Sequence, residues 1–306
     1  MNWPSKKSES QQLFHPLFKE KGVAVFILRD DLLHPGISGN KWRKLKYNLL
    51  AVAEKDVKTI VTVGGSHSNH IAAVAEAGKV FGFKTIGLIR GYEAYRTNVT
   101  LSKAAKNGME IRFFDKKAFK ELETVYLPQL IAEIVDFEFV PMGGGNLLGM
   151  KGCVEINADI NENTTHILSA CGTGSTLAGI IAGAKENQQL IGFPAMKNGA
   201  FMYGDVAQYL EDFGTQKHAK YVINTDYHFG GFAKLKTELV DFINQFNTDH
   251  GFALDGIYNG KMMFGLYDLI KNDYFPKGSV ITAIHTGGVQ GNLGLMEKKG
   301  VVLPVG

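Results

Sequence analysis

Cysteine is nearly absent: Cys153 and Cys171 are the only thiols in 306 residues. Two such residues build neither a disulfide framework nor a Cys-x-x-Cys metal knuckle, and they suit a reducing cytoplasm. Long apolar runs are missing as well. None approaches the roughly 18 residues a membrane-spanning helix needs. Met1 to Gln12 is polar, carries Lys6, Lys7 and Glu9, and lacks the apolar core of a signal peptide, so a cytoplasmic location is the expectation. Neither sign of charge dominates. The 33 basic and 30 acidic residues leave +3 with no long basic run, which argues against a nucleic-acid partner. No Pro- or Ser-rich linker, low-complexity tract or internal repeat divides the chain, so any two domains share a tight interface.

Glycine is abundant, at 36 residues, and it clusters where apolar runs end. Strand-like runs cover 23–28, 59–63, 84–89, 110–114, 137–141, 166–170, 190–194, 221–225 and 280–285. Helical patterns follow at 69–80, 99–107, 121–135, 147–158, 177–184, 236–246 and 261–271. Strand, glycine turn and helix in repetition predict parallel α/β units. Ligands of such sheets bind beyond the carboxyl ends of the strands, at helix N-termini. A chain of this length is long for one core, and one to two domains are expected.

Several of these turns carry chemistry. Ser38-Gly39-Asn40-Lys41-Trp42-Arg43-Lys44-Leu45 follows the first strand and opens a helix. A lysine desolvated beside other cations has a lowered pKa and becomes a nucleophilic amine able to form a Schiff base. The other reading of this stretch is a solvated basic helical turn. Cys171-Gly172-Thr173-Gly174-Ser175-Thr176 joins a strand to a helix. Its backbone N–H groups and hydroxyls can cradle a phosphate, although it is neither a Walker A loop nor a G-x-G-x-x-G loop. A tight turn with a hydroxyl cap explains it too. Gly64-Gly65-Ser66-His67-Ser68-Asn69-His70 can receive a carboxylate or a phenolic oxygen, or can be a capped helix start. His67 and His70 are three apart, but no acidic residue or cysteine lies nearby to complete a metal shell, so no metal is expected. Tyr258 is either a loop acid/base or a packed ring with a wet hydroxyl. His285 ends an apolar strand and reads as a core histidine.

These stretches occur in order, together with Arg29-Asp30-Asp31-Leu32-Leu33-His34-Pro35, Tyr258-Asn259-Gly260-Lys261 and His285-Thr286-Gly287-Gly288. From about Arg29 to Gly288 the chain resembles the D-cysteine desulfhydrase and 1-aminocyclopropane-1-carboxylate deaminase family. The resemblance implies pyridoxal 5′-phosphate (PLP) as cofactor. It also implies a fold of the tryptophan synthase β-subunit type, with two open, twisted, mostly parallel-sheet domains. Residues 1–43 and 150–306 are expected to form the larger, and 44–149 the smaller. Lys41 matches the Schiff-base lysine, Lys44 a phosphate contact, and Asn69 the amide beside the phenolic oxygen. Ser68, Asn69 and His70 match the turn for the substrate carboxylate, Gly172, Thr173, Gly174, Ser175 and Thr176 the phosphate cradle, and Tyr258 an active-site tyrosine. Lys41, Ser68 and Tyr258 are thus the catalytic candidates. A small amino acid of D configuration is the implied substrate and a homodimer the implied assembly.

Two departures bear on the reaction. The cyclopropane deaminases carry Glu after the tyrosine, where it meets the pyridine nitrogen, and His-Leu-Gly-Gly in the last strand turn. This chain has Asn259 and Thr286. Thr286 fits the desulfhydrases; Asn259 fits neither side. A second family tyrosine, expected near Phe229-Gly230-Gly231, is Phe229, and His67 stands where relatives often have Gln. The resulting expectation is a PLP-dependent lyase that takes D-cysteine to pyruvate, sulfide and ammonia. The alternative within the class is the cyclopropane deaminase. The alternative outside it is a non-catalytic PLP-binding or amino-acid-sensing protein, against which Lys41, Ser68 and Tyr258 together argue.

Overall fold

The computed structural model describes residues 1, 3–134, 136–216 and 218–305. Along the chain run β1 (Ser10–Leu13), α1 (Pro16–Lys21), β2 (Ala24–Leu28), α2 (Asn40–Glu54), β3 (Thr59–Gly65), α3 (Asn69–Phe81), β4 (Lys84–Arg90) and α4 (Val99–Lys106). Next come β5 (Met109–Phe114), α5 (Lys116–Lys120), α6 (Leu127–Glu133), β6 (Phe137–Val140), α7 (Leu147–Val154), β7 (His166–Cys171), α8 (Ser175–Gly183) and β8 (Gln189–Pro194). The remainder is α9 (Met202–Asp212), β9 (Lys220–Ile223), α10 (Thr237–His250), α11 (Asn259–Lys271), β10 (Val280–Ile284) and α12 (Gly291–Lys299).

The strands build two sheets, as the resemblance implies, and their strand-helix alternation is the one the sequence predicts. The larger has the order β1-β2-β10-β7-β8-β9 and the smaller β5-β4-β3-β6. Every pairing is parallel except β1 with β2. β7 is buried at all six positions and β3 at its five inner ones, as expected of parallel strands covered on both faces. One face of the larger sheet packs Leu168, Ala283 and Phe193 against α10 and α11, through Phe246, Leu266 and Ile270. The other meets α7, α8 and α9 through Cys153, Ile180 and Val206. Helix α2 presents Leu45, Leu49 and Val52 to the core of the smaller sheet.

Some predicted elements differ in detail. The helix expected over 121–135 is a π-helical turn at Leu122–Tyr126 followed by α6, which restarts with Pro128 in its first turn; the short α5 precedes them. Pro lacks the N–H a continuous helix would use, which accounts for the break. Val135 lies outside the described residues. Strand β1 and helices α1, α5, α9 and α12 carry no prediction from the sequence.

Candidate active site

Helix α2 starts hard against the end of β10. Gly39 has φ 64° and ψ −138°, and a Cβ there would stand 1.9 Å from the Thr286 carbonyl oxygen, so only glycine allows the approach. The Asn40 N–H then donates to the Thr286 carbonyl at 3.1 Å. One turn of helix carries Lys41 and Lys44 into the space between the sheets. Gly152 brings α7 onto α2, where a Cβ would come within 1.9 Å of the Arg43 carbonyl oxygen. Arg43 itself holds α2 from behind. Its Nη2 donates to Asp30 at 3.0 Å and Asp159 at 2.6 Å, both buried.

Both lysine amines end on the same acceptor. Lys41 Nζ donates to the Gly143 carbonyl at 3.3 Å, and Lys44 Nζ to that carbonyl at 3.2 Å and to Thr173 Oγ1 at 3.3 Å. Among the described residues no carboxylate pairs with either amine. Burial, then Lys44, pushes the Lys41 amine well below its ordinary pKa, and burial lowers Lys44 too. Lys41 is therefore desolvated beside a second cation, the setting in which a lysine amine gains nucleophilicity, and it is not part of a solvated helical turn.

The loop from Gly172 to Thr176 lies beside them. Gly174 has φ 79° and precedes α8, whose N-terminus has no side-chain cap. Helices α3, α4 and α7, in contrast, are capped by Ser68, Asn98 and Asn146. Uncapped first-turn N–H groups, a buried Lys44 and the hydroxyls of Thr173, Ser175 and Thr176 form an anion cradle. Thr173 and Ser175 hydroxyls stand 3.2 Å apart, and Thr176 Oγ1 accepts from Asn40 Nδ2 at 2.9 Å, tying α8 to α2. Two buried amines without a counter-charge and an open helix N-terminus are the donor set that a phosphate-bearing aldehyde requires. The residues present therefore fit PLP, with Lys41 on the aldehyde side and Lys44 and the loop on the phosphate side.

Across the cleft, Ser68 Oγ accepts from the N–H groups of His70 and Ile71 at 3.2 and 3.3 Å. The hydroxyl thus caps α3, and the cap leaves its own proton unused. Asn69 Oδ1 accepts from Gln290 Nε2 at 3.2 Å. Its amide thus bridges α3 and the turn after β10.

His70 corrects the expectation for this segment. Thr62 Oγ1 spends its proton on the Val140 carbonyl at 2.7 Å, so at 2.9 Å from His70 Nε2 it accepts. The proton sits on Nε2, and Nδ1 is a buried acceptor without a partner. Burial first, then Lys41 and Lys44, holds the imidazole well below its ordinary pKa. A neutral ring with no free donor has nothing to offer a carboxylate, which leaves Ser68 and Asn69 as the side-chain donors of this turn. His67 turns the other way, toward Gly294 on α12.

Asn259 is a second correction. Its Nδ2 donates to Asp255 Oδ2 at 2.6 Å and to the Gly287 carbonyl at 2.7 Å. Its Oδ1 accepts from Thr286 N and Thr286 Oγ1, both at 3.1 Å. All four hydrogen-bonding positions of the amide are filled, so it has none for a cofactor. It acts through Thr286, which it locks in place. Asp255 anchors the same corner, accepting from the N–H groups of Ile257, Tyr258 and Asn259 at 2.7–2.9 Å. Tyr258 stands opposite Gly172, where a Cβ would lie 3.3 Å from its hydroxyl. Burial, then Asp255, raises the phenol pKa, so at neutral pH it is a proton donor. His285 is the expected core histidine. Nε2 is 2.9 Å from the Ala253 carbonyl and Nδ1 accepts from Gly287 N at 3.2 Å, which fixes the turn. With both nitrogens engaged, its 3.6 Å approach to Asp31 is no ion pair.

Phe229, the position of the expected second tyrosine, points into the core and packs edge-on against Phe264 at 4.9 Å. The aromatic facing Tyr258 is Phe232, with ring centres 6.1 Å apart. Sequence reasoning assigns no role to Gly143 or Asp255. The three glycines after β6 are the visible signal for the first; nothing marks the second.

The sequence model described as "Pyridoxal-phosphate dependent enzyme" matches residues 12–287. A protein of Pyrococcus furiosus named as a putative 1-aminocyclopropane-1-carboxylate deaminase is 33% identical over 295 residues, covering 90% of this chain and 88% of that one. The Arabidopsis thaliana bifunctional D-cysteine desulfhydrase/1-aminocyclopropane-1-carboxylate deaminase is 27% identical over 305 residues, covering 90% of this chain and 74% of that one. The crystal structure of a 1-aminocyclopropane-1-carboxylate deaminase homologue superposes with a TM-score of 0.84 at 29% identity, covering 97% and 94%.

Proposed function

The chain belongs to the pyridoxal-phosphate dependent enzyme family, and from that premise we propose a lyase that takes D-cysteine and water to pyruvate, sulfide and ammonia. PLP bound to such a protein supplies an electron sink for the electrons of a broken Cα–H bond. The protein's own groups do the rest. Lys41, its amine pKa lowered by burial and by Lys44, is the base that takes the α-proton. Ser68 donates its hydroxyl proton to the substrate carboxylate and Asn69 adds an amide. Tyr258, protonated and half-buried opposite Gly172, delivers a proton to the departing thiolate. Lys44 and the Gly172–Thr176 loop hold the phosphate.

The observation that carries the choice of substrate is the Asn259–Thr286 pair. By resemblance these residues stand at the pyridine nitrogen, and both are neutral. Asn259 is saturated by Asp255, Gly287 and Thr286, so no carboxylate is presented there. A neutral partner leaves the ring a weaker sink, sufficient for expelling a good leaving group such as thiolate. Ring opening of the cyclopropane acid to 2-oxobutyrate and ammonia is the second reading, favoured by the names of the relatives. The proposal extends to a homodimer in a reducing cytoplasm; the two buried free thiols suit that compartment. Measuring kcat/KM for D-cysteine and for the cyclopropane acid on one preparation decides between them, because that ratio reports differential transition-state stabilisation. Higher kcat/KM for the cyclopropane acid overturns the first reading. Cofactor binding with turnover of neither, nor of any D- or L-amino acid in a panel, favours a sensor.

A further inference from the structure

Lys261 sits one turn into α11, three residues after Tyr258, and is 2% exposed. Its ammonium is spent entirely on backbone. Nζ donates to the carbonyls of Gly231 at 2.7 Å, His228 at 2.9 Å and Ala195 at 3.3 Å. Ala195 follows β8, and its own N–H is bound to the Cys171 carbonyl, at the root of the phosphate loop. His228 and Gly231 belong to the 226–234 segment, which is the most contorted backbone of the chain. Phe229, Gly230, Gly231 and Ala233 have φ of 53°, 92°, 118° and 54°. Left-handed conformations at Phe and Ala persist only where the surroundings impose them. No carboxylate contacts Lys261 among the described residues, and burial, opposed by Asp255, pushes its amine down to about 8. A cation kept where the medium penalises it, gathering carbonyls from two segments, marks a position whose purpose is geometric.

The segment so gathered divides its aromatics. Phe229 goes into the core against Phe264, while Phe232 stands 53% exposed with its ring edge-on to Tyr258. We propose that Lys261 is a positioning residue that folds the 226–234 segment so that Phe232 forms the wall of the substrate site beside Tyr258. This rests on the site reading above and adds to it the group that bounds the substrate's side chain. Among the described residues the Lys261 amine hydrogen-bonds neither Lys41 nor Ser68, and Asp255 reaches it through charge alone, so chemistry at Cα stays intact when the wall moves.

The test uses the holoenzyme of wild type, Lys261→Met, Phe232→Ala and the double variant. Amide hydrogen exchange over 228–234 should quicken by about tenfold or more in Lys261→Met and stay unchanged in α2 and α8. KM for the better of D-cysteine and the cyclopropane acid should rise about tenfold in either single variant with kcat within about threefold. The double variant should be no worse than the singles, because both changes remove one wall. Unchanged exchange in Lys261→Met, unchanged KM in Phe232→Ala, or additive defects overturns the proposal. Should Lys261→Met not fold, Lys261→Gln, which keeps two donors and no charge, is read by the same assays. If wild type turns over neither compound, the substrate reading fails, and exchange at 228–234 still decides whether Lys261 holds the loop.

Discussion

Replacing Asn259 with Asp changes no atom's place and reverses the sense of two hydrogen bonds. The oxygen that takes the position of Nδ2 lies 2.6 Å from Asp255 Oδ2 and 2.7 Å from the Gly287 carbonyl, both acceptors. If the new carboxyl ionised, two unit charges at that separation would repel by roughly 6 kcal/mol at an effective dielectric constant of about 20. Keeping it protonated at pH 7 costs about 1.4 kcal/mol per unit above an ordinary pKa of about 3.9, or about 4 kcal/mol. Protonation is the smaller cost, so the buried carboxyl stays neutral and its pKa is raised. Its single proton satisfies one acceptor, and the other is left bare at a further ~1–3 kcal/mol. The variant is then weaker than wild type by about 5–7 kcal/mol at neutral pH, comparable with the whole stability of many proteins. The sign follows from the raised folded-state pKa. The native variant binds a proton that the unfolded chain has released, so stability is complete below the ordinary carboxyl pKa and is lost as pH rises. The slope is about 1.4 kcal/mol per unit up to the raised value. Urea unfolding of wild type and Asn259→Asp at matched pH, from about 4.5 to 7, should show this growing difference, while Asn259→Ala should differ from wild type by a constant amount. A pH-independent difference for the Asp variant would refute the saturated geometry around Asn259. The same reasoning limits any conversion toward the deaminase pattern. Asn259→Glu with Thr286→Leu brings a carboxyl to Asp255 and removes the Thr286 hydroxyl bond together, so stability should fall before specificity shifts.

Borohydride reduction of the holoenzyme followed by peptide mapping should label Lys41, and a label on Lys44 or Lys151 would overturn the assignment. Lys44→Met should weaken PLP binding about tenfold or more in a fluorescence titration, as expected for a lost charge-assisted phosphate contact. It should also let the Lys41 pKa rise, because Lys44 is one of the causes that lower it; the acid limb of the rate profile should move to higher pH. Arg43→Met leaves Asp30 and Asp159 buried without their cation, so it should cost about 3–5 kcal/mol in urea unfolding, with partial recovery at acid pH. Gly174→Ala should lose nearly as much stability as Gly174→Val. The left-handed φ of 79° costs any side chain about 1–2 kcal/mol, and a Cβ there faces Met202 Sδ at 3.0 Å on α9 instead of filling the cradle. A much larger loss for Val would show that crowding against α9 decides.

Parallel strands covered on both faces announce themselves as apolar runs ending in glycine, which is why β3, β4, β7, β8 and β10 are legible to within one or two residues. Strand β1 is not: Ser-Gln-Gln-Leu buries one residue of four and pairs at a sheet edge. Helix α9 hides because only Met202, Val206 and Leu210 are buried, a stripe one residue wide along an otherwise polar surface. The candidate site divides along a similar line. Side chains set where a turn opens a helix, such as Lys41, Ser68, Thr173 and Tyr258, are readable because their chemistry is written in their identity and their place after a glycine turn. What fixes them is mostly backbone. The Gly143 carbonyl takes both lysine amines, the carbonyls of Ala195, His228 and Gly231 take Lys261, and Asp255 takes three consecutive N–H groups. Every residue carries such groups, so no sequence pattern distinguishes the ones that matter. The commitments of His70 and Asn259 are hidden for the same reason. Each looks like a free polar hand in sequence, and each is committed by neighbours 8 and 28 positions away, Thr62 and Gly287. The overall charge of +3 conceals the site as well, because it is the local balance that counts. Lys41 and Lys44 share one carbonyl, His70 is kept neutral between them and Thr62, and no carboxylate reaches either amine among the described residues. A pocket so arranged is complete only with an anion against Lys44 and an electrophile against Lys41.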